Sequence, residues 1–407
     1  MTALLYTAHQ DDALPTQLER LRNLSPLPCF SPATRGFVEE FSRRILKLPE
    51  LRRYPELATL SHWFRPAAID QLCRKAAIAD GSVMLPRGLV FHLAPANVDV
   101  LFAYAWLLSV LCGNRNVARL SQKPGAQRDA LIGILHDFQQ EALFPEVLQR
   151  TVLLTYPHND AITREISTAC HARIIWGGDA TVTHIRSIPL APLALEMAFP
   201  DRFGVAVVRA DAIASMEAGA LSELARRFCN DMLWFGQQAC SSPRCLYWVG
   251  EPDRIAAAKA VFWPAMQAQA AQFEDEPAAL MARVTDAYLL AARTPDLQLA
   301  DTLATYPLHL TVPYADGHLR EQQSGHGLVI EVDLPTLHAL AVQLDDRDQT
   351  LIQHGFSHED LAALLRDLPN RAVDRVVPIG RALDFHHIWD GSDLLRIFSR
   401  QTTLGLH

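Results

Sequence analysis

Cys240 lies near the centre of a small, polar run, Gly236–Ser242, inside the stretch WFGQQACSSPRCLYWVG. An apolar, helix-like segment precedes the run and a strand-like CLYWV follows it. Such a loop lets backbone N–H groups point at whatever the thiol attacks, so Cys240 is a candidate nucleophile in a preformed pocket. The competing reading is a packed thiol, the commoner fate of a single cysteine. Gly177-Gly178-Asp179 ahead of a helical pattern is a candidate anion cradle, because the free N–H groups of a helix start favour negative charge. The same residues also suit a plain tight turn with Asp179 or Thr181 as helix cap. Asn97, following Pro-Ala between a strand and a helix, reads by position alone as an N-cap. His92 alternates with apolar residues on a strand and reads as a hydrogen-bonded core histidine. The 16 histidines are scattered, and the adjacent pair His386 and His387 cannot share one helical face, so no metal site is expected.

The elements that must place these residues follow from periodicity. Residues 13 to about 80 show apolar positions at three- and four-residue steps, with Ser31-Pro32 as a cap and first-turn pair, and read as helical scaffold. From Met84 the pattern becomes strand (Gly88–Leu93), tight turn (Ala94–Asn97), buried helix (Val98–Leu111), Gly-Asn turn and strand (Asn116–Leu120), a βαβ unit. A helix over 126–140, a strand in VLQRTVLLTY, a helix in AITREISTAC and a strand in ARIIW continue the alternation to Ile188. That argues for a mostly parallel, doubly wound sheet covered on both faces. Ligands of such sheets bind beyond the carboxyl ends of the strands, where the turns at 94–97, 121–125 and 177–181 gather. Ile188–Pro200 reads as a Pro-interrupted link. A second α/β domain then runs from 201 to about 375, with strands in RFGVAVVRAD, CLYWVGEP, TYPLHLTVPY and HGLVIEVDLP and one long helical stretch over Pro252–Arg293. The expected division is a helical region (1–80), a cofactor domain (81–200), a second α/β domain (201–375) and a C-terminal segment (376–407) packing back near the cofactor domain.

Composition sets the outer bounds. A chain of 407 residues with 49% hydrophobic and 20% charged content has the balance of a globular protein with two or three cores. The net charge of −8 and the scatter of basic residues exclude nucleic acid as an expected partner. Seven cysteines with no C-x-x-C pair argue for reduced thiols in the cytoplasm and against a disulfide frame or zinc. The start, MTALLYTAHQDD, lacks the features of a signal peptide, and the longest apolar run, Val100–Gly113, is 14 residues, too short for a membrane span.

Two stretches together, PRGLVFHLAPANVDVLFAYAWLLSVLCGNRNVARLSQK and GQQACSSPR, resemble the LuxC-type acyl-CoA reductases, a branch of the aldehyde dehydrogenase superfamily. WGGDATVTHIRS and the tail VVPIGRALDF…WDGSDLL are similar to that family as well. The resemblance covers roughly residues 80–400. It implies an aldehyde-dehydrogenase-like α/β fold with a doubly wound cofactor domain and a second, catalytic α/β domain. By position, Cys240 matches the nucleophile that forms an acyl-enzyme thioester. Asn97 matches the side chain that builds an oxyanion hole with the Cys240 N–H. Arg119 and Ser121 fall where the superfamily holds the adenosine ribose, and Gly177, Gly178 and the helix start through Thr181 match the segment beside the pyrophosphate. Glu196 is all that remains of the superfamily's Glu-Leu-Gly-Gly segment, where a glutamate activates water in aldehyde oxidisers. The degraded surroundings suit an enzyme that does not hydrolyse its acyl-cysteine. Gln122-Lys123 stands where NAD-selective relatives place a Glu; losing a carboxylate and gaining a cation favours a 2′-phosphate, hence NADPH. The Glu-x-Phe-Gly-Pro clamp on the nicotinamide ribose has no clear copy, and EQQSGHGLVIEVD is its expected place.

The expectation is therefore an NADPH-dependent reduction of an acyl thioester, acyl-CoA or acyl-protein, to the aldehyde. Two alternatives stand beside it: an NAD(P)-dependent aldehyde oxidiser, and a non-catalytic acyl-binding partner of an acyl-protein synthetase, the ligase with which members of the family work. Little sequence separates the N-terminal helices from the Gly88 strand, which reduces the superfamily's oligomerisation arm and leaves a homo-oligomer open.

Overall fold

A computed structural model describes residues 2–52, 54–78, 81–94, 100–294, 297, 303–315, 319 and 322–405. The chain forms two compact units, one of Met1–Pro200 with Phe385–His407 and one of Asp201–Asp384.

The first unit is built on a six-stranded sheet in the order β1-β5-β4-β3-β6-β7. Its strands are β1 (Ala3–Tyr6), β3 (Leu89–Leu93), β4 (Arg115–Arg119), β5 (Thr151–Thr155), β6 (Ala172–Trp176) and β7 (Leu195–Phe199). All neighbours are parallel except β1, which runs antiparallel to β5 at the edge. β3 is buried along its whole length because both faces are covered, the reason it reads as an unbroken apolar run. β3 has β4 on one side and β6 on the other, so strand order reverses there, the position beyond whose strand ends open parallel sheets bind ligands. The Val100–Leu111 helix is buried on nearly every face. It stops in a Schellman turn, with Gly113 N donating to Val110 O (2.8 Å) and Asn114 N to Ser109 O (3.2 Å). β2 (Ser82–Pro86) pairs antiparallel with β16 (Ser399–Thr403), and β14 (Ile388–Trp389) with β15 (Ser392–Asp393).

The second unit holds a six-stranded, all-parallel sheet in the order β10-β11-β9-β8-β12-β13. These are β8 (Phe203–Arg209), β9 (Pro243–Val249), β10 (Leu308–Thr311), β11 (Leu328–Leu334), β12 (Asp348–His354) and β13 (Arg375–Pro378). Side chains alternate between two cores: Val205, Val207, Cys245 and Tyr247 enter one, and Ala206, Val208, Leu246 and Trp248 the other. Glu331 of β11, fully buried, accepts from the indole N–H groups of Trp248 (2.7 Å) and Trp263 (2.8 Å), with Lys259 3.6 Å away.

Three expectations change. Ile188–Pro200 contains β7: prolines flank LEMAF without entering it, and the five residues pair in register with β6. The stretch Pro252–Arg293 is two helices, Pro252–Ala270 and Pro277–Arg293, because Pro277 starts a new first turn after the short linker. β1 and β12 go unread in the sequence; β1 is a four-residue edge strand and β12, DQTLIQH, is polar at both ends.

Gly113 has a φ of +78°, and a Cβ there would overlap the Leu27 carbonyl. Its own carbonyl accepts from Leu27 N at 3.0 Å. Gly113→Ala should therefore lower unfolding free energy by about 2–4 kcal/mol, from left-handed strain plus overpacking; urea denaturation of the two proteins checks this.

Candidate active site

Cys240 sits in the turn that enters β9. The Ala218–Leu233 helix ends in three consecutive left-handed residues, Phe235 (φ 57°), Gly236 (φ 58°) and Gln237 (φ 65°), which reverse the chain. Ser242 N then donates to Ala239 O (3.0 Å), closing a turn with Cys240 at its second position. Gln237 fixes this loop. Its side chain is fully buried; Nε2 donates to Pro243 O (2.7 Å) and Leu328 O (2.9 Å), and Oε1 accepts from Gly327 N (2.8 Å). His326 N donates to Gly236 O (2.9 Å), and Gln238 Nε2 to Ser324 O. Gly204 on β8 lies so close beneath that a Cβ would overlap Ser241 O. Cys240 therefore has a rigid backbone and a half-buried side chain at the amino edge of its sheet.

Burial raises the pKa of four other thiols. It pushes Cys29 up to about 11 and Cys170 and Cys229 to about 12, while Cys112 goes well above its ordinary value. Those four stay protonated and unreactive at neutral pH. Cys245 is packed on β9 in the core. Arg244 stacks on Phe203 (4.3 Å) and donates to Gln323 O (3.0 Å), its pKa lowered chiefly by burial, so a cation is held beside the start of β9.

In the first unit, the expected cofactor residues gather at the carboxyl edge of the sheet. Ser121 and Lys123 follow β4, with Lys123 N donating to Ser121 Oγ at 3.1 Å. Arg128 braces that turn from below, giving one nitrogen to the carbonyls of both Ser121 and Lys123 at 2.8 Å each. Arg119, the last residue of β4, is turned onto Tyr156: its guanidinium lies 5.1 Å from the ring centroid and bonds Tyr156 O (3.2 Å). Gly177 and Gly178 follow β6, and the Asp179–Arg186 helix starts with Gly178 as an N-cap that offers no side-chain acceptor. A Cβ at Gly177 would sit 3.2 Å from Thr181 Cγ2, so the two glycines keep the helix start open. Asn97 lies outside the described residues. His92, one strand residue earlier than Leu93, is fully buried with Nε2 3.0 Å from Asn116 Oδ1; burial drops its pKa to about 4, which fits a neutral core histidine.

Glu196 pairs with two arginines. Arg173, fully buried on the paired position of β6, donates Nε (2.7 Å) and Nη2 to Glu196 Oε2, while Arg186 reaches Oε1 at 3.1 Å. Arg173 also donates to Ser167 Oγ (3.0 Å) and Ile188 O (2.9 Å). The carboxylate thus neutralises a buried guanidinium, and both of its oxygens are engaged. The residues that sequence reasoning missed are those holding the site from below: Gln237, Arg128 and Arg173. Only Arg173 left a signal, a cation inside the apolar strand ARIIW.

Residues 65–401 match the family described as acyl-CoA reductase (LuxC). The chain belongs to the LuxC family. It is similar to the long-chain acyl-protein thioester reductase of Aliivibrio fischeri, with 22% identity over 242 residues, 52% of this chain and 47% of that one. The match thus spans about half the length of that relative. Among solved structures, the fold is similar to a benzaldehyde dehydrogenase of Corynebacterium glutamicum (TM-score 0.67, 11% identity, 99% of this chain and 92% of that one). It is also similar to lactaldehyde dehydrogenase of Escherichia coli (TM-score 0.62, 13% identity, 95% and 85%). This LuxC chain accordingly has an aldehyde-dehydrogenase-like fold. Among the described residues no group of His, Cys, Asp and Glu could hold a metal, and no helix is long and apolar enough to cross a membrane.

Replacing Glu196 by Gln strips the counter-charge from Arg173, and loss of one partner of a buried pair costs about 3 kcal/mol. Chemical denaturation should show that loss in full. Unchanged stability would return the carboxylate to the list of candidate bases.

Proposed function

We propose that this protein reduces an acyl thioester to the corresponding aldehyde, with Cys240 as the acylated nucleophile and NADPH as the electron donor. The observation that carries the reading is the rigid turn presenting a half-buried Cys240 at the start of β9, in a chain of the acyl-CoA reductase family. The Cys240 thiolate attacks the acyl carbonyl, the donor thiol leaves, and an acyl-Cys240 thioester remains. Asn97 is assigned by resemblance alone as a donor to the oxyanion; such a donor is worth about 2.7–4 kcal/mol of barrier. A reduced nicotinamide, when bound, would supply a hydride to the acyl-Cys240 carbonyl, and cleavage of the C–S bond would free the aldehyde and return the Cys240 thiolate.

The first unit fits a dinucleotide. The helix after β6 starts at a glycine N-cap, whose positive dipole end at the carboxyl edge of a parallel sheet suits an anion, and Gly177 lets a group approach the backbone closely. Ser121 and Lys123, held by Arg128, would meet the adenosine end, with Lys123 drawing a 2′-phosphate. Arg119 serves that end by closing β4 on Tyr156. The acyl donor is CoA or an acylated protein; the name of the Aliivibrio fischeri relative supports the second. Glu196, occupied by two arginines, is poorly suited to activating water, which favours reduction over aldehyde oxidation. In this reading it is a charge partner rather than a base.

Cys240→Ala should abolish both acyl labelling from tetradecanoyl-CoA and the NADPH oxidation that follows. Label retained on the variant overturns the assignment of the nucleophile. Independently, Lys123→Glu should cut the preference for NADPH over NADH by roughly tenfold or more, since one ion pair of about 1.4 kcal/mol is replaced by a repulsion. The ratio of kcat/KM for the two cofactors measures this, and an unmoved ratio removes Lys123 from the ribose site.

A further inference from the structure

We infer that Asp231 is a positioning residue for the acylating thiol: its main-chain carbonyl holds the Cys240 turn while its carboxylate holds the segment through which the chain leaves the second unit. The inference rests on the reading of Cys240 as nucleophile.

Asp231 lies in the last turn of the Ala218–Leu233 helix, on the buried stripe that carries Phe228 and Met232, and is 1% exposed. One carboxylate oxygen accepts from Gly380 N (2.6 Å) and the other from Ala382 N (2.9 Å). The backbone carbonyl of the same residue accepts from Ser242 Oγ (2.9 Å), and Ser242 closes the Cys240 turn. One residue therefore grips two segments, 380–382 with its side chain and the nucleophile turn with its main chain. The close approach is built in: Gly380 has φ +93°, and a Cβ there would lie 2.8 Å from Arg227. Arg375 holds the other side of the same segment, donating to Asp384 O (2.8 Å) and Ala382 O. The charged groups facing the carboxylate are Asp384 and Arg375 from the tail segment; Arg227 packs against Gly380 from the helix, and Arg381 pairs with Asp384.

Folding and positioning make opposite demands on this group. Burial, opposed by the two amide bonds, raises its pKa to about 7. A carboxyl whose native pKa exceeds its unfolded value favours folding when protonated, and that contribution fades as pH rises through the native pKa. The two N–H bonds favour the ionised form. A neutral amide could accept only one of the two N–H bonds and would turn its own NH2 toward the other N–H. The ionised carboxylate satisfies both N–H groups at once and so fixes where 380–382 lies against the helix end.

The test compares the full-length protein with Asp231→Asn across pH 6–9, following iodoacetamide alkylation of Cys240 by peptide mass spectrometry and acylation by labelled tetradecanoyl-CoA. Taking the ratio of wild-type to variant rates cancels the ionisation of Cys240 itself. The ratio is expected to climb about tenfold through a midpoint near 7, as a misplaced reacting group would give. A flat ratio, or a variant that loses reactivity only in step with its melting temperature, overturns the inference. Ser242→Ala cuts the other end of the tie and should slow alkylation at every pH; an unchanged rate also overturns it, even if Asp231→Asn does not fold. Should wild-type Cys240 accept no acyl group, the functional reading fails, while the alkylation ratio still decides the role of Asp231.

Discussion

The candidate nucleophile depends on one buried amide. Gln237 spans the start of β9 and the approach to β11, and it satisfies a carbonyl on each side and an N–H between them. A loop that leaves a helix through three left-handed residues is costly, on the order of 1 kcal/mol for each non-glycine residue. It persists because the surrounding bonds over-determine it. Orphaning those backbone groups would cost about 1–3 kcal/mol apiece, so the conformation cannot relax without losing more than it gains.

The same logic recurs wherever charge is buried. Arg173 and Glu196 lock adjacent strands of the first unit, Glu331 gathers two indoles in the second, and Asp231 gathers two amides. Buried ionic groups add little net stability over an apolar replacement, but each admits few geometries. In a fold whose chemistry lies in turns between strands, a restriction of geometry is worth more than an increment of stability.

The sequence carried the parts of this fold that local physics decides. Gly113-Asn114 announces a Schellman stop because only glycine tolerates that backbone beside Leu27. The run Leu89–Leu93 announces a strand covered on both faces, and Cys240 stood out because a thiol in a small-residue loop is poorly placed to be core. What stayed hidden depends on partners distant in the chain. LEMAF becomes a strand because β6 offers it a parallel edge, and neither propensity nor flanking prolines reveal that. Glu196 reads from the sequence as either a relic of a water-activating base or a structural carboxylate, and no short-range pattern reveals the buried guanidinium of Arg173 that pairs with it. Asp231 interrupts an apolar stripe, but its purpose lies in amides far downstream, where no short-range pattern reaches.

The pairing of β16 with β2 orders events during synthesis. The second unit is continuous from Asp201 to Asp384 and has all its strands once that stretch has left the ribosome. The first unit awaits Phe385–His407: Asn114 binds Phe398 O, Arg87 binds Ile397 O, and Ser82–Pro86 meets its only sheet partner among the described residues in Ser399–Thr403. A surface of the first unit stays open until the segment carrying Ser399–Thr403 has been made, after the second unit already has all its described strands.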